Sequence, residues 1–246
     1  MSPGLAAAFL SGQAEAGAWP LAPGRTQIIA KYESSQTRSA YDLDGRTIQI
    51  PPYAYSGGEV FIERGLSQRL TLQANLRYLR GQEGFGSDYT RITGDLGLRV
   101  LAYRSPSWVV SLYGGGAVLR SDQAQLSAQS RRDLGDPEAR LLVGHNFSLG
   151  RNRGFAEIQA AQLGHKGKAS EMRIEGRVGM DLTRSWQVLL HNYRGSNPRG
   201  VEWSKAELSL VRELGPASLQ LGWRQSLSGR QTAHEAGPVL ALWYRF

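Results

Sequence analysis

The chain contains no cysteine among its 246 residues. Disulfide frameworks and thiolate metal sites are therefore excluded. Compartment is not, because a protein that crosses an oxidising periplasm loses nothing by lacking thiols. Also missing is any apolar run of about 18 residues, the length a membrane-spanning helix needs. Mean hydropathy is −0.37. So low an average leaves room for a membrane barrel, whose strands alternate lipid-facing and lumen-facing residues. Methionine is scarce (three residues) and glycine abundant (thirty), a balance suited to strands and turns. The formal charge is +8, from 29 basic and 21 acidic residues. Such a balance can mark nucleic-acid binding, but the charges are dispersed and no basic helix or RNA-binding fingerprint occurs, so nucleic acid is not an expected partner.

What is present is alternation with a period of two residues. In the stretch 70–78 the even positions are Leu70, Leu72, Ala74, Leu76 and Tyr78, and the odd ones are Thr71, Gln73, Asn75 and Arg77. A helix would smear that pattern over all its faces, whereas a strand sorts it. In 171–182, Met172, Ile174, Val178, Met180 and Leu182 share one face and Glu171, Arg173, Glu175, Arg177 and Asp181 the other. Runs of this kind predict an all-β fold of about twelve strands, near 25–35, 56–65, 69–80, 89–104, 108–120, 138–149, 155–164, 170–183, 186–195, 201–213, 217–228 and 235–246. Many reach the length that crosses a bilayer at a tilt, longer than sandwich strands.

Connections alternate in kind. Tight turns are expected near 65–68, 104–107, 150–154, 183–185 and 213–216, and longer polar loops at 35–55, 81–88, 121–137, 164–169, 195–200 and 228–235. Short turns on one side and long loops on the other define a single antiparallel up-and-down barrel of the bacterial outer membrane, turns toward the periplasm. The last strand ends with Leu240, Leu242, Tyr244 and Phe246 in alternation. That ending resembles the terminal strand of outer-membrane proteins, so Leu242, Tyr244 and Phe246 are the expected signal to the barrel-assembly machinery. Trp108, Trp186, Tyr103, Phe155 and Tyr244 lie near strand ends, where an interfacial girdle is expected, in contact with membrane lipid and lipopolysaccharide.

Residues 1–18 read as the remnant of a signal peptide, with the barrel over 19–246. An apolar stretch from Leu5 to Leu10 precedes two overlapping small-x-small patterns, one at Ala14 and Ala16, the other at Ala16 and Ala18. No basic residue precedes the apolar stretch. The mature chain is expected to start near Gly17 or Trp19.

If the apolar members face lipid, the others line the lumen, because a charge aimed at hydrocarbon costs a few kcal/mol. The basic candidates are Lys31, Arg77, Arg91, Arg99, Arg140, Arg173, Arg177, Lys205, Arg224 and Arg245. The acidic candidates are Glu33, Glu59, Glu63, Asp95, Glu138, Glu157, Glu171, Glu175, Asp181 and Glu207. These charges either pair across strands around a narrow polar passage, or form an arginine-rich track for an anionic or hydroxyl-rich solute. The near balance of signs favours pairing.

Chemistry is sparse. A rim hydrolase would need a nucleophile, a base and an orienting group, and His191 with Ser196 and Asn197 is the one combination that could assemble one. Interfacial histidines are the simpler account of His145, His165, His191 and His234, and the chain is read as a non-enzyme. No His/Asp/Glu cluster has zinc-like spacing, and no cofactor is expected. Asp42 and Asp44 read as turn formers rather than a calcium site. Gly114, Gly115 and Gly116 read as a bulge or a close packing rather than a phosphate loop.

The segments 18–32, 40–45, 51–53 and 63–72 resemble the XagA-type outer-membrane proteins of proteobacteria. The likeness covers about the first third of the chain and brings no catalytic residues. It implies an association with glycosyltransferases that make surface exopolysaccharide and biofilm matrix, with this protein as conduit or partner for the glycan. The expected function is a narrow channel or export partner for polysaccharide or small polar solutes. The alternatives are the rim-sited lipid hydrolase and a structural or adhesive barrel acting through loops 35–55 and 121–137.

Overall fold

The computed structural model describes residues 17–83, 87–122, 133–164 and 170–246. Eleven long strands run β1 (Thr26–Tyr41), β2 (Thr47–Gly65), β3 (Leu70–Glu83), β4 (Ser87–Arg104), β5 (Trp108–Asp122), β6 (Pro137–Leu149), β7 (Asn152–Leu163), β8 (Glu171–Asp181), β9 (Trp186–Ser196), β10 (Glu202–Leu214) and β11 (Ala217–Arg230). A two-residue β12 (Thr232–Ala233) caps the far end of β1, and β13 (Ala236–Arg245) completes the wall. Each long strand pairs antiparallel with its chain neighbours, and β1 pairs with both β2 and β13, so twelve long strands close on themselves. Closure leaves no unpaired edge, which is what a bilayer without water demands. At the seam the Thr26 N–H donates to the Phe246 carbonyl at 2.7 Å and the Phe246 N–H to the Thr26 carbonyl at 3.0 Å.

The outer surface carries the large apolar side chains. Val60, Leu76, Leu98, Leu141, Ile158, Leu190, Leu208, Leu221 and Leu240 are all exposed there. Trp108, Trp186, Tyr103 and Tyr244 are exposed at the end with the short turns, and the Arg212 guanidinium sits 5.2 Å from the Trp186 ring centre. Tyr103 reaches the outside because a register shift between Leu101 and Tyr103 turns the strand, leaving Leu101 against the interior. Phe155 departs from the expected girdle. It is fully buried and packs edge-on against Trp19 inside the barrel, ring centres 5.7 Å apart.

The wall is uneven. β2 has 19 residues and β4 has 18, against 11 in β8 and in β9. About ten tilted residues cross a bilayer, so the long strands stand well clear of it. The expected loop at 35–55 is mostly this extension, a hairpin from Tyr41 paired with Thr47 down to Thr26 paired with Arg64. Its turn is tied by the Asp42 carboxylate, which accepts the Asp44 and Arg46 N–H groups at 2.9 and 2.8 Å, with Gly45 at φ +79°. The expected loop at 81–88 is likewise largely strand, with β3 reaching Glu83 and β4 starting at Ser87, and residues 84–86 lie outside the described residues.

Candidate functional site: the lumen

Side chains alternate between the lumen and the outside except where the register shifts, and the interior divides into two zones. In the half near the short turns the inner face carries an apolar cluster among buried polar groups. Val109, Leu142, Phe155, Leu189, Val211, Ala241 and Trp243 cluster there. Sequence reasoning, which expected an interior of paired charges, missed this cluster. Its centre is occupied by the chain itself. Residues 17–19 run inside the barrel, with Ala18 fully buried and Trp19 7% exposed. The Gly24 N–H donates to the Gly65 carbonyl at 2.8 Å and the Gly65 N–H to the Arg25 carbonyl at 3.0 Å, which leads the chain from this segment into β1.

Polar groups of the wall hold the segment. Arg99, fully buried, donates through Nη2 to the Trp19 carbonyl at 2.8 Å and through Nη1 to the Gly17 carbonyl. The same Nη1 lies 2.7 Å from Glu63 Oε1, which also accepts from Gln73 at 2.6 Å. Ser111 Oγ donates to the Ala18 carbonyl at 2.7 Å, and the Ala18 N–H donates to Glu157 Oε2 at 2.7 Å. Arg177 backs that carboxylate at 3.4 Å and lies 5.4 Å from the Phe155 ring centre. Two carboxylates and two guanidiniums thus ring the segment.

Beyond it the lumen is polar. Glu33 accepts from Arg77 at 2.6 Å and from Arg224, and Arg224 continues to Glu207 at 2.7 Å. Lys31 lies 3.7 Å from Glu207. The chain Arg77, Glu33, Arg224, Glu207 starts on β3 and ends on β10, and in the closed wall those strands are separated by β2, β1, β13 and β11. One charge belt therefore lines about half the circumference. On the other half Arg140 pairs with Glu138 and lies 4.5 Å from the Tyr113 ring centre. Arg173 pairs with Glu171 at 2.6 Å, and Gln159 donates to Glu175 at 2.6 Å. Arg91 Nε and Asp95 Oδ1 are buried on the inner face of β4. Tyr113 itself folds over Gly97 and Gly115, where any Cβ would overlap its ring, so close packing accounts for Gly115 in the run 114–116.

Toward the long-strand end, Tyr53 and Tyr89 stack with ring centres 6.4 Å apart and share a 2.7 Å hydroxyl contact. Tyr55 donates to Glu235 at 3.4 Å, and Lys205 pairs with the same carboxylate. A cavity of about 10 Å³ lies among Glu33, Tyr55, Lys205, Arg224 and Glu235, room for a single water.

The expected combination of His191, Ser196 and Asn197 does not assemble. His191 is in the lumen rather than at the rim, its Nδ1 2.9 Å from the Tyr193 hydroxyl. Ser196, five positions along β9, has the opposite parity and is exposed on the other face, so the nucleophile–base pair does not form. His145 packs on Trp108 with ring centres 4.2 Å apart, and His234 lies 5.3 Å from Tyr41. His165 falls outside the described residues.

A closed antiparallel barrel with an apolar outer belt and a polar interior can sit only across a lipid bilayer, and this architecture belongs to the bacterial outer membrane. No family model matches the chain, and no curated protein matches it in sequence. Among solved structures it is similar to the COG4313 outer membrane channel from Pseudomonas putida F1, with a TM-score of 0.68 at 13% identity over 95% of this chain and 100% of that one. It is also similar to the KdgM porin, with a TM-score of 0.57 at 6% identity over 89% of this chain and 99% of that one. The beta domain of the Bordetella autotransporter BrkA gives 0.55 at 11% identity over 91% and 100%. These likenesses establish an outer-membrane barrel and go no further toward the XagA-type family. Proteins described as a channel, a porin and an autotransporter domain share the fold, so function has to be argued from the lumen.

Proposed function

We propose that the protein is a narrow outer-membrane channel for small polar solutes, closed at rest by its own N-terminal segment. The observation that carries this reading is the charge belt of Arg77, Glu33, Arg224 and Glu207. Buried ion pairs contribute little net stability against apolar residues of similar volume. A belt of them on the inner wall is better explained as a polar lining that a solute exchanges with. The 10 Å³ cavity among the belt residues is far too small for a solute, so passage requires belt side chains to part as well as residues 17–19 to move. The resemblance to XagA-type proteins extends the proposal to a glycan as the solute, and the stacked Tyr53 and Tyr89 beside guanidiniums and carboxylates offer the apolar faces and hydrogen bonds that sugar rings use. Planar-bilayer recording tests the channel. Small, infrequent conductance is expected from the full chain, rising when Arg99 is replaced. A deletion strain tests the glycan, with reduced surface exopolysaccharide expected. Absence of conductance in both proteins together with unaltered exopolysaccharide would refute the proposal.

A further inference from the structure

Two cleavage patterns overlap at the head of the chain. Processing after Ala16 makes Gly17 the first residue, and processing after Ala18 makes it Trp19. The lumen distinguishes between them. The Gly17 carbonyl is bound by Arg99, the Ala18 carbonyl by Ser111, and the Ala18 N–H by Glu157. Arg99 and Ser111 are 0% exposed and Glu157 is 8% exposed. A chain beginning at Trp19 would strip partners from all three, and buried polar groups left unpaired are expensive. Gly17 is itself fitted to its place. Its φ is +136°, and a Cβ there would overlap the Glu157 carboxylate. Its nitrogen is one bond from the Cα that faces this carboxylate.

We propose that hydrolysis of the Ala16–Gly17 peptide bond makes Gly17 the mature N-terminus, and that its new α-ammonium group docks inside the barrel on the Glu157 carboxylate. Water adds across the bond. Its hydroxyl goes to the Ala16 carbonyl carbon, the C–N bond breaks, and its hydrogen goes to the Gly17 nitrogen. At neutral pH the leader departs as a carboxylate and the barrel keeps an ammonium. One neutral amide donor is replaced by a cationic group with three, which sets a full positive charge opposite the carboxylate. The site has two features of a receptor for an N-terminal amine: a carboxylate, and no space for a side chain on the first residue. Processing thereby strengthens the seating of the segment in the lumen, because only the processed chain offers the ammonium.

Protein taken from the outer membranes of its own host gives the first test. Intact mass and N-terminal sequencing are expected to show a chain starting at Gly17, and a start at Trp19 or upstream of Gly17 would overturn the proposal. Acetylation of the α-amine by an N-hydroxysuccinimide ester, followed by mass spectrometry, gives the second. The folded barrel is expected to react at least about tenfold more slowly than the urea-unfolded chain, the factor set by 1.4 kcal/mol. Glu157→Gln should bring the folded rate toward the unfolded one, and Glu171→Gln should not. If Glu157→Gln fails to assemble, Glu157→Asp replaces it and should give an intermediate rate. Equal rates in folded and unfolded wild-type protein, or protection unaffected at position 157, would overturn docking.

Discussion

Arg99 is the strongest handle on the segment inside the barrel. Its guanidinium donates to two carbonyls of that segment, at Trp19 and Gly17, and pairs with Glu63 at 2.7 Å. Hydrogen bonds to a charged group contribute roughly 1.5–3 kcal/mol each, so truncation removes about 3–6 kcal/mol of the hold. What remains is the Ser111 and Glu157 contacts and the Trp19–Phe155 ring pair, the last worth about 0.5–1.5 kcal/mol. Even the lower figure shifts the seated-to-released ratio about a hundredfold. Arg99→Ala alone would also strand Glu63, which is 0% exposed, at a cost of about 3–5 kcal/mol. Arg99→Ala with Glu63→Gln removes both charges together and keeps the barrel assembled. The absence of native cysteine makes the readout clean: Ala18→Cys places a single thiol on a residue 0% exposed. A bulky maleimide is expected to label that thiol about a hundredfold faster once Arg99 and Glu63 are replaced, with heat-modifiable gel mobility confirming the fold. Unchanged labelling in a folded barrel would refute the view that Arg99 holds the segment, and with it the gating proposal.

Four further outcomes follow from the same geometry. Arg224→Gln leaves Glu33 and Glu207 without their shared cation, so the reversal potential in a KCl gradient should move toward cation selectivity; no movement would place the belt off the ion path. Leu208→Arg puts a charge on the lipid face, where Leu208 is 58% exposed, and should cost about 2–4 kcal/mol in urea unfolding from lipid vesicles. A Cβ on Gly144 would lie 2.6 Å from a Trp19 ring carbon and 2.8 Å from Val109 Cγ1, so Gly144→Ala should displace the segment and speed labelling of the Ala18→Cys thiol. Deleting Phe246 removes both hydrogen bonds that tie it to Thr26 and the proposed assembly signal, and should lower the heat-modifiable fraction recovered from outer membranes.

Within the bilayer the sequence is easy to read, because lipid penalises any polar side chain that faces it. The alternation from Leu70 to Tyr78 therefore maps directly onto β3. Outside the bilayer that penalty lapses, and both faces of a strand can be polar. The upper halves of β1 and β2 lose their contrast for this reason and pass for a loop. Pro51 and Pro52 deepen the impression, yet they fall where the β1–β2 pairing skips from Tyr53 to Gln49, a gap that needs no amide donor. Phe155 is a different case. Its parity with Glu157 and Gln159 puts it on the inner face, and only its position near a strand end suggested a girdle.

The segment inside the barrel also left a trace in the sequence. Where alternation gives way to consecutive apolar residues, both faces of a strand are apolar, as at Leu141, Leu142 and Val143, at Val188, Leu189 and Leu190, and from Leu240 to Tyr244. One face meets lipid. The other must meet something apolar within the lumen, and small side chains from opposite walls do not span a twelve-strand barrel. A separate piece of chain is needed to fill the space, and it must bring an apolar group for the cluster and satisfy its own backbone. Trp19 supplies the first, and Arg99, Ser111 and Glu157 supply the second. Ion pairs fill the polar zone without any such insert, because long arginine and glutamate side chains reach across several strands. The same barrel is thus filled in two ways at two depths, by ion pairs anchored in the wall and by a separate stretch of chain, residues 17–19.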